Sequence, residues 1–354
     1  MTIYLINIAL VCFWGIILYK KKNGDKYYCF IITTQLLFLS CIRSIQTGGD
    51  LTSYKLGFEA VHSISWNELN NLKGIPFYGN IETGWHYFAK ALGLIINNFR
   101  VIMIFNGALL MIIIGLFIYR NSRCKWFSFY LFITLGYYGH SFSAVRQYLA
   151  ISILLFSLRF IKKRRLLSFL ICVFLASLFH KTAICFAIVY LYPMLKLNKK
   201  YWCISMMLAL VSLFASKPVL NFIINLAGYE SYRKYIGKGN GEGMLLMLSA
   251  YLIIVVIYRK HLQKTEENYT LYISMLVTAI ILNISALQFL LMGRLMEYFH
   301  IILIVLLPNT LACIQNYRTR YVGTLIICLL VLIYYVLFIC RLDTSGLIPY
   351  RFAW

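Results

Sequence analysis

Long apolar runs separated by short polar segments extend along the whole chain. A membrane-crossing helix needs about 17–25 mostly apolar residues, and tilted helices or polar ends allow shorter runs. Runs of this kind predict about twelve spans (ten to twelve). They lie near 2–19, 27–42, 101–119, 126–140, 143–161, 166–180, 182–195, 201–217, 244–258, 269–288, 298–314 and 321–340. Because unpaired backbone cannot face hydrocarbon, the pattern predicts an all-α, polytopic integral membrane bundle.

The polar segments between these runs alternate in charge. Every second one is short and rich in Lys and Arg, and these lie at 20–26, 120–125, 162–165, 196–200, 259–264 and 317–320. Short basic loops mark the cytoplasmic side of a membrane protein. The other segments, with larger loops at about 43–100 and 216–243, are therefore predicted outside, together with both termini. No linker separates a soluble part, so residues 1–354 are predicted to form a single membrane domain.

Composition agrees with a membrane protein and argues against a soluble domain, a nucleic-acid-binding protein and a metal site. Hydrophobic residues make up 61% of the chain and charged residues 13%, with a mean hydropathy of +0.76, whereas soluble domains have about 45–50% and 25%. The net charge of +23 is mostly the topology signal of the basic loops, so nucleic acid is a poor explanation. The ten cysteines lack the spacing of metal ligands or of a disulfide frame, and no metal site is predicted.

Polar side chains gather at the predicted outer ends of the helices. They are Arg43, Asp50, Tyr54, Glu82, Arg146, Gln147, His180, Arg294 and Tyr298. Only Asp25, Glu266 and Glu267 among the eleven acids fall in the predicted cytoplasmic segments. Charges inside a membrane are costly and usually mark a substrate path. The one-sided grouping indicates a site at the outer leaflet, whereas a proton-coupled transporter would carry an acid near mid-depth.

Each of these residues also has a structural interpretation. Arg146, in the first turn of a predicted helix, could extend to lipid headgroups, and Arg43 and Arg294 could be interfacial anchors. His180 could satisfy a buried carbonyl. Glu82 could cap the helix that starts at "TGWHYF", and Asp50 could form a turn. The glycine-rich "GKGNGEG" at 237–243 lacks the strand-to-helix context of a phosphate loop and is interpreted as a mobile external loop.

Taken together, the outer cations suit one kind of substrate. Guanidinium groups bind phosphate oxygens bidentately, so Arg146, Arg43 and Arg294 are predicted to hold the diphosphate head of a lipid. Cations also stabilise a diphosphate as it leaves a sugar. A carboxylate or imidazole could then take a proton from the attacking hydroxyl, and Asp50, Glu82 and His180 are the candidates. The remaining polar residues, Gln147, Tyr54 and Tyr298, are predicted to contact substrate.

The chain also resembles the EpsG family, the Wzy-like polymerases of bacterial exopolysaccharide, capsule and O-antigen. The resembling segments follow in order: "IRSIQTGGDLTSY", "ETGWHYFAKAL", "SAVRQYLAISILLFSLRFI", "LASLFHKTAI", "GRLMEYFHIILIVLLP" and "LIPYRF". The fifth-helix and hairpin segments are the most specific. In the first segment, Leu-Thr-Ser separates Gly49-Asp50 from Tyr54, whereas the family usually has a Gly-Asp-Tyr cluster.

This resemblance implies a GT-C-like glycosyltransferase that joins undecaprenyl-diphosphate-linked oligosaccharide repeats. It implies a multi-pass protein of the bacterial cytoplasmic membrane, with an active site facing the periplasm or exterior. No cofactor is implied beyond the lipid-linked glycans. Membrane lipid, a chain-length regulator and a flippase of the same pathway are the implied partners, with no nucleic acid. The alternatives are a lipid-linked oligosaccharide flippase or transporter, an outer-face glycan ligase or acyltransferase, and a structural scaffold.

Overall fold

Most of the described residues are helical. The computed structural model describes residues 1–71, 81–227, 230–343 and 345–354. Within these ranges there is no β-strand, and the isolated bridges join Arg43 to Phe352 and Ile236 to Phe289. The prediction of an all-α protein is confirmed. Parts of both predicted external loops, residues 72–80 and 228–229, lie outside the described residues.

The chain packs as two compact units. The first contains Met1–Ile184 and Ile327–Trp354, and the second contains Cys185–Ile326. The predicted single membrane domain stays a prediction.

In the first unit, α5 and α8 are the most extensively packed helices. The helices are α1 (Thr2–Ile17), α2 (Gly24–Ile42), α3 (Leu51–Ser63), α4 (Thr83–Ile95), α5 (Arg100–Asn121), α6 (Lys125–Thr134), α7 (Tyr137–Ser143), α8 (Val145–Lys162) and α9 (Leu166–Phe179). Helix α5 packs against α2 and α8, and α8 packs against α9. Gly107 and Gly115 of α5 abut Ser40 and Thr33 of α2, where a Cβ would collide. Small residues let the two backbones approach, as in other membrane helix pairs.

The predicted first external loop contains two amphipathic helices. Leu51, Tyr54 and Phe58 lie on one face of α3 at helical spacing, and they pack against Trp85 and Ala89 of α4. Burying these apolar faces is what makes such short helices stable, since isolated helices of this length are marginal in water. The segment is therefore a small packed layer within the first unit.

The second unit is built around α13, whose buried face packs against α10, α11 and α14. Its elements are the end of a 3₁₀ helix (Lys181–Met194), α10 (Lys199–Ala227), α11 (Glu242–Ile257), α12 (Arg259–Thr265), α13 (Tyr269–Ala286), α14 (Met292–His300), α15 (Leu303–Ala312) and the start of α16 (Tyr317–Tyr334). A short 3₁₀ helix, Glu230–Tyr235, follows α10. The chain re-enters the first unit within α16, at Ile327, and a π-helical turn, Tyr335–Cys340, follows that helix.

One boundary and one loop in the second unit differ from the prediction. Helix α10 passes through Pro218 and continues to Ala227, so the predicted loop start near 216 is too early. Proline loses one helical hydrogen bond but does not always end a helix. The segment predicted as a mobile loop is held by backbone hydrogen bonds, since Gly237 N–H donates to Gln288 at 2.7 Å and Asn240 N–H donates to Ala286 at 3.2 Å.

The apolar helices support a polytopic membrane protein. Four helices in the described ranges are long and apolar enough to span a membrane: Arg100–Asn121, Lys199–Phe222, Tyr269–Ala286 and Tyr317–Cys340. Counting each of two bent helix pairs as one span gives up to six. The predicted run 126–140 is divided because Gly136 adopts a φ of +89° between α6 and α7. The count of about twelve and the GT-C-like arrangement stay predictions.

The C-terminal tail is bound to the segment that follows α2. Ser44 N–H donates to Arg351 at 2.8 Å, Gly48 N–H donates to Gly346 at 2.9 Å, and Ala353 N–H donates to Ile42 at 2.9 Å. Two segments at opposite ends of the sequence, "IRSIQTGG" and "LIPYRF", therefore form one structure.

Gly48 is required at this junction. Its φ is +131°, and a Cβ there would collide with the carbonyl oxygen of Phe142. We expect Gly48→Ala to lower the stability of the protein in detergent by about 1–3 kcal/mol, measured by thermal unfolding. Gly323→Ala is the control, because nothing lies near a Cβ at that helical position; it should be neutral or slightly stabilising. Equal unfolding temperatures for Gly48→Ala and wild type would contradict this account of the junction.

Candidate functional site

A break between α7 and α8 places Arg146 at a helix N-terminus. Ala144, with φ −83° and ψ 51°, leaves the helical conformation, and α8 begins at Val145. Arg146 therefore lies in the first turn of an 18-residue helix, where unpaired backbone N–H groups and the helix dipole favour anions. The arginine adds a full positive charge to that end of the helix.

Arg146 is held by two side chains from the predicted first external loop. Its Nε donates to the hydroxyl of Tyr54 at 3.0 Å, and its Nη1 pairs with Oε2 of Glu82. The side chains of Arg146 and Glu82 are only 15% and 11% exposed. Because so little water screens them, this charged pair interacts more strongly than a surface salt bridge.

Glu82 also binds the start of the 3₁₀ helix that follows α9. Its other oxygen, Oε1, accepts the N–H of Lys181 at 2.9 Å, at the start of the 3₁₀ helix. Glu82 stands at the N-cap position of α4 but makes no capping hydrogen bond with its side chain, so the predicted capping role is not the one observed. The next helical turn contains Gly84, which touches the backbone of Leu178. This close approach brings α4 against the end of α9.

His180 lies beside this junction. Its Nδ1 is 2.7 Å from Oγ1 of Thr182, and its neighbour Lys181 donates the backbone hydrogen bond to Glu82. Two of the three predicted bases, Glu82 and His180, are thus brought to one place. We refer to Tyr54, Glu82, Arg146, His180 and the N–H of Lys181 as the Arg146 cluster.

An aromatic group supports the Arg146 cluster from α4. The ring of Trp85 lies 5.5 Å from that of Tyr54 and 5.7 Å from that of Phe88, and Phe88 contacts Phe179 at 5.4 Å. Trp85 is 1% exposed, and its Nε1 has no hydrogen-bond partner among the described residues. Sequence reasoning missed Trp85, although it follows Glu82 closely within "ETGWHYF".

His86 is a second residue that the sequence alone did not single out. It is 2% exposed. Burial lowers the pKa of His86 to about 4, with a smaller contribution from the positive charge of Arg146 in the same direction. The imidazole is therefore neutral at neutral pH, which avoids a second cation next to Arg146.

The other predicted site residues lie in different surroundings. Asp50 is half-buried at the N-terminus of α3, one turn before Tyr54, and does not cap that helix with its side chain. Gln147 is buried. Arg294 is exposed and Tyr298 is buried, and both lie on α14 in the second unit. The roles predicted for these four residues stay predictions.

Arg43 is enclosed by protein contacts. It is 3% exposed, its Nη1 donates to the carbonyl and, at 2.9 Å, to the hydroxyl of Ser40, and its guanidinium lies 4.3 Å from the ring centre of Phe142. Burial lowers the pKa of Arg43 to about 10, so it remains charged at neutral pH. The side chain of Arg43 thus contacts α2 and α7, while its backbone pairs with Phe352 of the C-terminal tail. Arg43 stays a predicted diphosphate ligand, without support from this geometry.

Across the described ranges, no three His, Cys, Asp or Glu side chains are placed to share a metal ion.

The fold and the Arg146 cluster define a polytopic helical membrane protein with a partly dry arginine–carboxylate pair at a helix break. The chain matches the EpsG family over residues 26–352, and it belongs to that family. Membership indicates a polysaccharide polymerase-type function in exopolysaccharide biosynthesis and a bacterial inner membrane protein. The chain matches no curated protein and no solved structure.

The pKa of His86 leads to a prediction about stability. Below its ordinary value of 6.5 the unfolded chain binds a proton that the folded protein accepts only near pH 4, so stability falls as the pH drops through this window. His86→Gln removes that contribution. We expect the loss of stability between pH 7.5 and pH 5 to be smaller in His86→Gln than in wild type, by on the order of 1 kcal/mol.

Thermal unfolding in detergent at several pH values measures this difference. His261→Gln, which removes an exposed histidine of α12, is the control for the loss of a histidine. An unchanged pH profile in His86→Gln would show that His86 takes its proton normally in the folded protein.

Proposed function

We propose that the protein is a polysaccharide polymerase, a membrane glycosyltransferase acting at the outer face of the bacterial cytoplasmic membrane. It joins oligosaccharide repeat units carried on undecaprenyl diphosphate. The observation that carries the proposal is the Arg146–Glu82 pair, which is partly buried at a helix N-terminus and tied to Tyr54 and Lys181. The proposed reaction uses the lipid-linked glycans alone, without a cofactor.

Arg146 binds the diphosphate in this proposal. A guanidinium matches phosphate oxygens in a planar fork, and the N-terminus of α8 adds favourable backbone dipoles. Negative charge grows on the diphosphate as its bond to the sugar breaks. A fixed cation in a site with little water stabilises that charge without having to reorganise.

Glu82 takes the proton in the same step. The bond between the anomeric carbon and the diphosphate oxygen breaks, and its electron pair leaves with the diphosphate. The acceptor hydroxyl oxygen forms the new bond to that carbon, and its proton passes to Glu82. A base must lie within hydrogen-bond reach of the hydroxyl, and Glu82 is the carboxylate in contact with Arg146.

Competition for Arg146 couples binding to catalysis. Glu82 and a diphosphate are both anions that pair with a guanidinium. When the diphosphate binds Arg146, Glu82 exchanges its pairing with the guanidinium for contact with the acceptor hydroxyl. Its second oxygen keeps the hydrogen bond from Lys181, which holds the carboxylate in place. His180 is the second candidate for the base because it adjoins Lys181.

Substitution of Arg146 tests the diphosphate role. With purified protein and lipid-linked repeats, we expect wild type to form banded polymer and Arg146→Ala to lose about 10²–10³-fold in rate. Arg146→Lys keeps the charge but not the planar fork, so its rate of polymer formation should lie between those of wild type and Arg146→Ala.

Arg318→Ala, which removes an exposed arginine at the start of α16, is the matched control and should retain wild-type rates. Normal chains from Arg146→Ala would contradict the mechanism. Wild type that forms no polymer, but moves a labelled lipid-linked unit across liposomes, would identify a flippase instead.

Isosteric changes separate the two candidate bases. Glu82→Gln keeps the shape and a hydrogen-bond acceptor but cannot take a proton, so we expect a loss of about 10²–10⁴-fold in the rate of polymer formation. His180→Gln should lower the rate of polymer formation by less than tenfold. The reverse order of the two rates would assign the base to His180. Thermal unfolding of both variants controls for loss of the fold.

A further inference from the structure

A cavity of about 490 Å³ lies near the N-terminus of α5 in the first unit, a volume typical of small-molecule sites. Its polar lining comes from Ser44 after α2, Lys55 and Glu59 on α3, and Asn97, Asn98 and Arg100 at and just before the start of α5. These side chains are partly or fully exposed, so the cavity is accessible from solvent.

The lining contains hydrogen-bond donors and acceptors in a balanced set. Lys55 and Glu59 pair with each other at 3.7 Å, and Arg100 donates to the carbonyl of Ala353 at 2.8 Å, so the cations already have partners. The amides of Asn97 and Asn98 supply both donor and acceptor atoms. An anion site would present donors alone, whereas a sugar hydroxyl both donates and accepts.

Two aromatic rings complete the cavity. Phe58 and Phe99 line it, with ring centres 5.9 Å apart in an edge-to-face arrangement. Both rings are largely buried in the apolar core of α3 and α4. Because Phe58 and Phe99 are only 3% and 4% exposed, they form an apolar wall of the cavity, and the polar groups around them are what a ligand would contact.

The cavity is close to the Arg146 cluster along α3. Tyr54 contacts Arg146, and Phe58, four residues later, lines the cavity. Four residues of α-helix advance about 6 Å, and Tyr54 and Phe58 belong to the same buried face. A ligand in the cavity would therefore lie about one helical turn from the site of the proposed reaction.

We propose that this cavity binds a glycan segment: an uncharged, polyhydroxylated oligosaccharide. This inference rests on the proposed function, since it assigns the cavity to sugars of the same lipid-linked substrate. The repeat unit and the growing polymer share this chemistry.

The test measures binding of the repeat-unit oligosaccharide, freed from its lipid diphosphate by mild acid, to the purified full chain. We expect Asn97→Ala to weaken this binding about tenfold, as the loss of an amide that bonds a sugar hydroxyl should do. Glu59→Gln, at an exposed position, is a second variant that preserves shape and should weaken binding in the same direction. Asn121→Ala, at the other end of α5, is the matched control. Wild-type affinity in both cavity variants would overturn the proposal.

Inorganic diphosphate is the second probe. Its binding should be unchanged in Asn97→Ala and weakened at least tenfold in Arg146→Ala. Equal weakening of both probes by Asn97→Ala would also overturn the proposal, because it would indicate an anion site or a damaged fold. Long polymer, tested beside the single repeat, distinguishes the two sources: stronger binding of the single repeat assigns the cavity to the incoming unit, and stronger binding of polymer assigns it to the growing chain.

The kinetics of polymer formation let the glycan-binding proposal and the proposed function be tested separately. In Asn97→Ala we expect KM for the lipid-linked repeat to rise about tenfold with kcat unchanged, the sign of lost substrate binding. Failure of wild type to make polymer would refute the proposed function, while the binding measurements would still decide whether the cavity holds a glycan.

Discussion

The ion pair between Arg146 and Glu82 is the interaction on which the first unit's site depends. Two charges with little water around them are costly to bury and are stable only when further hydrogen bonds satisfy them. Tyr54 and the N–H of Lys181 provide those bonds. Removing either charge would leave the other partly buried without its partner. The pair therefore fixes where α3, α4, α8 and the start of the 3₁₀ helix meet.

Close backbone contacts also shape the first unit. Gly84 lets α4 approach the end of α9, and Gly48 lets the segment after α2 pass against Phe142. Arg43 is buried; its side chain bonds to Ser40 and its backbone pairs with Phe352 of the C-terminal tail. The same residue type thus has two environments: Arg43 is enclosed by protein, while Arg146 keeps partial exposure beside a carboxylate, as a binding cation requires.

Much of the fold was predictable because its signals are local. Hydrophobic length and periodicity located the helices of the apolar runs, although α10 continues past Pro218 and Gly136 divides a predicted run. Helix α3 was not predicted and lies in the predicted first external loop. Arg146, Glu82 and Tyr54 were each selected from their position at a helix end. That Glu82 is the partner of Arg146 was not predictable, since the two residues are 64 positions apart. Trp85 and His86 were missed because a buried aromatic or imidazole on a helix looks like ordinary core.

The sequence by itself determined the class of the protein, the apolar helices and the family, through "SAVRQY" and "LASLFHKTAI". The class and the helices follow from composition and spacing along the chain, and the family follows from the resemblance of its motifs. Neither needs knowledge of contacts. Only the tertiary structure decided which charges pair, which cation is enclosed, and that a polar cavity forms beside Phe58. Those outcomes depend on packing between segments distant in sequence, where one glycine or one hydrogen bond sets the distance of approach.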